Sequence, residues 1–253
     1  MIDPALATPL ADRLLALADD ELVLAHRHSE WAGHAPILEE DIAFANLALD
    51  EMGHAALWYG LREALTGESA DRLIFFRHAG AYRNVQFVEL PRGDWAFSML
   101  RQYLFDAAES VTLPQLSNSA YRPLAEAAAK IATEERYHLR HTSLWLRRLG
   151  LGTAESHARL QAALDVLWPY ARQLFVPLPG DAALVAAELI PDAATLRRQW
   201  DGLTRPFLIE CGLAIPDDAL PHRDIPRTEH TEHLVGLLAE MQSVARLDPT
   251  AEW

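Results

Sequence analysis

Two segments, 36–65 and 124–149, carry apolar residues at helical spacing along their length, and each holds a Glu-x-x-His pair near its middle. The pairs are Glu51-Met52-Gly53-His54 and Glu135-Arg136-Tyr137-His138. Residues three apart on a helix share a face, so each pair can offer one oxygen and one nitrogen to the same metal ion. With 19 glutamates and 11 histidines in 253 residues, about one such spacing arises by chance. One copy would therefore mean little. Two copies, each inside a core-periodic helix, restrict the chain to folds in which two long helices face a common interior.

The remaining periodicity is also helical. A first helix runs from Asp20 to Trp31, with Asp19 and Asp20 as capping candidates, and breaks at Gly33-His34-Ala35-Pro36. Pro36 suits the first turn of the second helix, where Glu39, Glu40 and Asp41 oppose the positive helix end. That helix stops at Thr66-Gly67. Residues 68–93 form an irregular crossover whose Phe75, Phe76, Tyr82 and Phe87 should pack on the core. Asp94 caps a third helix that runs to about Leu113, and a fourth spans Leu124 to Leu149. Thr153 and Ser156 open a fifth, which reaches Pro169. A short alanine-rich helix within 175–190, a helix over 193–212 and a last one over 229–246 complete the expectation, with 214–227 as a proline-bearing loop or arm. No strand-like alternation of useful length occurs. The fold class expected is all-α: a single domain over 1–253, a helical bundle with additional C-terminal helices.

The first and third helices can then be aligned with their partners. In an antiparallel hairpin, residues equally far from the turn lie level. Glu21 precedes Glu51 by 30 residues and Asp106 precedes Glu135 by 29, so each acid falls level with the Glu-x-x-His of the following helix. Glu109, one turn beyond Asp106 and displaced by only about 4.5 Å of helix rise, competes for the fourth carboxylate. The candidate ligands are thus Glu21, Glu51, His54, Asp106, Glu109, Glu135 and His138. Four carboxylates with two histidines, drawn from four helices in this way, form the ligand set of ferritin-like proteins that hold two iron or two manganese ions. Carboxylates bridge hard cations and cancel their charge, and neutral imidazole adds a donor without adding charge. The competing reading is a buried salt-bridged network retained from a metal-binding ancestor.

Other candidates have plainer roles. Trp58, Tyr103 and Tyr137 read as core aromatics rather than redox groups. His26 and His28 are placed on the flank of the first helix, and His230 and His233 are expected to cap or pair with acids. Arg140, His141, Arg147 and Arg148 read as surface, where a polyanion such as a coenzyme A ester could find arginines.

Composition excludes several classes. The formal charge is −14, and 21 of the 22 basic residues are arginine, with no basic stripe for a phosphate backbone, so nucleic acid is not an expected partner. Cys211 alone supports neither a disulfide nor a thiolate metal cluster. No apolar run reaches membrane-spanning length, and the N-terminus resembles no signal peptide, so the expected location is the cytoplasm.

Several stretches together resemble the C subunits of ring-1,2-phenylacetyl-CoA epoxidases, the multicomponent oxygenases of aerobic phenylacetate breakdown. They are Ser29-Glu30-Trp31-Ala32-Gly33-His34-Ala35-Pro36, Arg101-Gln102-Tyr103 with Asp106-Ala107, Glu135 to Arg140, Trp145 to Gly150, His230 to Leu234, Leu238 to Gln242, and Trp253. The resemblance implies a ferritin-like subunit, usually regarded as non-catalytic, that partners a related di-iron A subunit binding the acyl-CoA. A flavin and iron-sulfur reductase supplied by NADPH, together with a B subunit, belongs to the wider assembly. Many C subunits have lost the metal ligands, whereas this chain keeps an acid or histidine at each expected position. That departure leaves two alternatives beside the structural role: a di-iron oxygenase component in its own right, or an iron-binding homo-oligomer without oxygenase partners.

Overall fold

The computed structural model describes residues 2–216 and 225–251. Trp253 and part of the expected arm, including Pro221, lie outside the described residues. Ten α-helices occur among them, and no strand. Four long helices make the bundle: α1 (Pro4–Ser29), α2 (Leu38–Thr66), and, after the short α3 (Ala70–Phe75) and α4 (Gln86–Glu89), α5 (Trp95–Leu116) and α6 (Arg122–Gly150). α1 pairs with α2 and α5 with α6 as two hairpins, and α2 meets α6 across the bundle. α7 (Ala154–Ala171) and α9 (Ala193–Glu210) pack on α5, α8 (Asp181–Ala186) packs on α1, and α10 (Glu232–Met241) closes over the crossover.

The helix boundaries follow local chemistry at most ends. Gly67 closes α2 with φ +73°, a left-handed geometry that glycine adopts without steric penalty. Asp94 caps α5 by accepting from Phe97 N at 2.9 Å, and Thr153 with Ser156 forms a reciprocal capping box at the start of α7. α6 has no room to vary at its end, because a Cβ on Gly150 would lie 2.2 Å from the Cys211 carbonyl oxygen.

The start of the first helix differs from the expectation. α1 begins at Pro4, with Asp3 capping Ala5 N at 2.9 Å, and Asp19 and Asp20 lie buried in its interior. Neither is a cap. Asp19 accepts from Arg77 Nη1 at 2.9 Å, from Arg83 N at 2.7 Å and from the Tyr59 hydroxyl. Asp20 accepts from Val85 N at 2.8 Å and from Arg227 Nη1 at 2.7 Å. These two acids tie the crossover and the C-terminal segment to α1. The crossover packs on the core through Tyr82 and Phe87, as expected, and through Val85 and Val88, whereas Phe75 and Phe76 are only half-buried.

Candidate metal centre

The four bundle helices each turn one apolar stripe inward, and the candidate ligands occupy positions within those stripes. On α1 the stripe runs Leu14, Ala18, Glu21, Ala25 and His28; on α6 it runs Ile131, Glu135, His138 and Thr142. All seven candidates are buried, from fully enclosed Glu51 and Asp106 to Glu109 at 8% exposure.

Five of them converge. Glu21, Glu51 and His54 form one group, and Glu51, Glu135 and His138 a second, with the donor atoms of each group within 4.8 Å of one another. Glu51 belongs to both. His54 Nδ1 lies 3.9 Å from Glu21, 3.6 Å from Glu51 and 3.5 Å from Glu135, while His138 Nδ1 is 2.9 Å from Glu135 and 3.8 Å from Glu51. Both imidazoles thus turn Nδ1 inward.

Their outer nitrogens are held crosswise. His54 Nε2 meets Glu134 of α6 at 2.8 Å, and His138 Nε2 meets Asp50 of α2 at 3.1 Å. Each carboxylate sits on the opposite helix, fixes the ring orientation and selects the tautomer that leaves Nδ1 free as a donor to metal. Helical spacing did not single out Asp50 and Glu134, although each directly precedes the glutamate of a Glu-x-x-His pair; the acidic doublet is the signal.

Neither Asp106 nor Glu109 belongs to either donor group. Asp106 accepts from the Gln102 amide at 2.5 Å and from Thr142 Oγ1 at 2.8 Å, so both its oxygens are engaged. Gln102 also reaches Glu51 Oε1 at 2.7 Å, a contact that spacing did not reveal. Glu109 stands apart from both donor groups and lines a cavity between α1 and α5.

Burial and mutual repulsion dominate the electrostatics of the cluster. Burial, together with repulsion from neighbouring carboxylates, raises Glu21, Asp106 and Glu135 well above the usual carboxylate range. The same causes push Glu109 up to about 8. Burial opposes ionisation of Glu51 as well, but the adjacent Glu21 carboxyl and the two imidazoles outweigh it and hold Glu51 low. For His54, burial works against the charged form, yet contact with Glu51 and the nearby acids lifts it to about 9. Without cations the cluster retains protons to offset its charge. Hard cations would replace those protons.

The donor set fits such ions. Among the described residues, no N–H or hydroxyl donor reaches either oxygen of Glu21, Oε2 of Glu51 or Oε2 of Glu135, and His54 Nδ1 is likewise without a hydrogen-bond partner. Buried polar atoms left in this state are destabilising unless a ligand meets them. The fit is closer around Glu21, Glu51 and His54. Around Glu135 and His138, the Gln102 amide lies against oxygens that a second ion would use.

Outside the cluster, His28 corrects the expectation of a flanking residue. It is fully buried, packs against Phe44 with the rings tilted by 52° and their centroids 4.6 Å apart, has no hydrogen-bond partner at either nitrogen among the described residues, and is pushed down to about 3 by burial and by Arg101. His230 pairs with Glu89 at 2.6 Å, as an acid-paired histidine should. Trp58 and Tyr103 are core residues, but Tyr137 is 69% exposed and lies on the surface.

A helical bundle carrying a carboxylate and histidine cluster of this kind defines the ferritin-like class. Residues 3–253 match the family described as phenylacetic acid catabolic protein, and the chain belongs to that family. Its relatives include the C subunit of 1,2-phenylacetyl-CoA epoxidase from Escherichia coli K12, 38% identical over 240 residues that cover 94% of this chain and 97% of that protein. The A subunit of the same E. coli epoxidase is 26% identical over 209 residues, covering 77% of this chain and 67% of that protein. No helix among the described residues is long and apolar enough to cross a membrane.

Proposed function

We propose that the chain is the C-type subunit of a cytoplasmic phenylacetyl-CoA epoxidase assembly. It serves chiefly as the structural partner of a catalytic di-iron A-type subunit, with a reductase and a B subunit in the wider complex. The observation that carries this reading is the 38% identity, over nearly the whole of both chains, to the C subunit of an epoxidase. The more distant similarity to the A subunit supports pairing between two related bundles.

Within the bundle, Glu21, Glu51, His54, Glu135 and His138 would hold one or two iron or manganese ions, with Glu51 shared. Asp50 and Glu134 would keep the imidazoles oriented, and Gln102 and Thr142 would position Asp106. A bound ion would supply Lewis acidity and, if iron or manganese, redox capacity. The retained cluster favours a second reading, in which the chain is itself an oxygenase component.

Co-expression with a tagged A-type epoxidase subunit tests the leading reading. The expected result is a stoichiometric complex that survives gel filtration at micromolar concentration, and separate elution of the two chains would overturn it. Substrate oxidation by this chain with reductase but without the A-type subunit would instead establish the second reading.

A further inference from the structure

Among the described residues, the wall between α1 and α5 is not closed. A cavity of about 740 Å³ opens there, bounded by α1, α5, the 172–177 segment, α8 and the start of α9. Its volume lies within the range of pockets that enclose small organic ligands. The surfaces nearest the bundle interior are largely apolar, formed by Leu17, Phe105, Ala108 and Phe175, with Glu109 at the side of the metal-ligand cluster.

The charged groups around it are unevenly engaged. Arg13 is paired with Asp181 and Arg227 with Asp20, so these walls are internally neutralised. Arg197 differs. It lines the cavity with a side chain 35% exposed, and Asp201 approaches it no closer than 4.0 Å, the outer limit of an ion pair. A guanidinium so placed keeps hydrogen-bond donors available for a carboxylate or phosphate.

We propose that this cavity binds a small amphiphilic anion. Its aromatic or aliphatic body lies between Leu17 and Phe105, and its acidic headgroup is met by Arg197. The cavity lining shares no residue with the two converging donor groups, so the site stands or falls independently of the function proposed above. It gives a bundle regarded as structural a ligand pocket beside its carboxylate cluster.

Equilibrium dialysis of the full chain with 2-naphthoate, and with uncharged 2-acetylnaphthalene as its isostere, tests the proposal. Saturable binding of one naphthoate per chain is expected. Val185→Trp, which fills the cavity from the partly exposed wall of α8, should weaken it at least about tenfold. Arg197→Gln should weaken naphthoate about fivefold while leaving acetylnaphthalene unchanged. Should Val185→Trp fail to fold by thermal unfolding, Ile190→Phe fills the same space and replaces it. Non-saturable binding, or unchanged affinity in the filled variant, overturns the pocket. Equal losses for both probes with Arg197→Gln, or no loss, overturn the headgroup assignment.

Discussion

Replacing Glu21 by methionine separates a metal centre from a structural ion-pair network, because the two predict opposite changes. Glu21 is 1% exposed, and neither of its oxygens receives a donor. Methionine matches its length and removes a buried acid that burial and the neighbouring carboxylates penalise, so the metal-free protein should gain about 1–2 kcal/mol. For a chain of this size each kcal/mol moves Tm by about 2–4 °C, which predicts a rise of roughly 2–8 °C in chelator-treated buffer. Addition of Mn(II) reverses the comparison. At about one hundred times Kd the wild-type protein gains about 2.7 kcal/mol. If loss of this ligand weakens binding about a hundredfold, the variant at the same Mn(II) concentration gains only about 0.4 kcal/mol. Scanning calorimetry with and without Mn(II) should therefore show the two proteins exchanging order. A variant that melts lower than wild type without metal and keeps the full Mn(II) response would refute the reasoning.

Three further perturbations test the rest of the structure. Asp19→Ala strands the Arg77 guanidinium, the Tyr59 hydroxyl and the Arg83 amide, and should cost about 3–5 kcal/mol in urea unfolding; a loss under about 1 kcal/mol would show that this network is not formed. His28 is held down to about 3 against an ordinary 6.5, so its contribution is complete above pH 6.5 and is lost as pH falls toward 3. The acid limb should steepen there by about 1.4 kcal/mol per pH unit, and His28→Phe should remove that slope in urea titrations across the window. Gly150→Ala forces a Cβ onto the Cys211 carbonyl and should lower Tm by about 5 °C or more; an unchanged Tm would mean that α6 and α9 separate easily.

The helical architecture was legible because its signals are local. The capping of α5 and α7 and the glycine end of α2 are written in adjacent residues, and level placement across the first hairpin brings Glu21 to Glu51 and His54, whereas across the second it does not bring Asp106 into the group of Glu51, Glu135 and His138. The start of α1 was not legible for the opposite reason. Asp19 and Asp20 look like caps beside their neighbours, and their partners lie far along the chain: Arg77, the Tyr59 hydroxyl and the Arg83 amide for Asp19, the Val85 amide and Arg227 for Asp20. His28 has ordinary neighbours in sequence, and its burial comes from α2 through Phe44. The contact of Gln102 with Asp106 is one that i,i+4 spacing allows, but its reach to Glu51 on α2 is not specified by the register of α5. The cavity is formed by α1, α5, α8 and α9 together, and no single segment carries its signature.

Metal stoichiometry tests the cluster most directly. The protein is to be expressed in iron-supplemented medium, purified, and then titrated anaerobically with Fe(II). We expect about one to two ions per chain by elemental analysis, and loss of nearly all of them in Glu51→Gln, which removes the donor shared by both groups. Wild-type protein that remains essentially metal-free under these conditions, or Glu51→Gln that retains the wild-type content, would contradict assignment of this cluster as a metal centre.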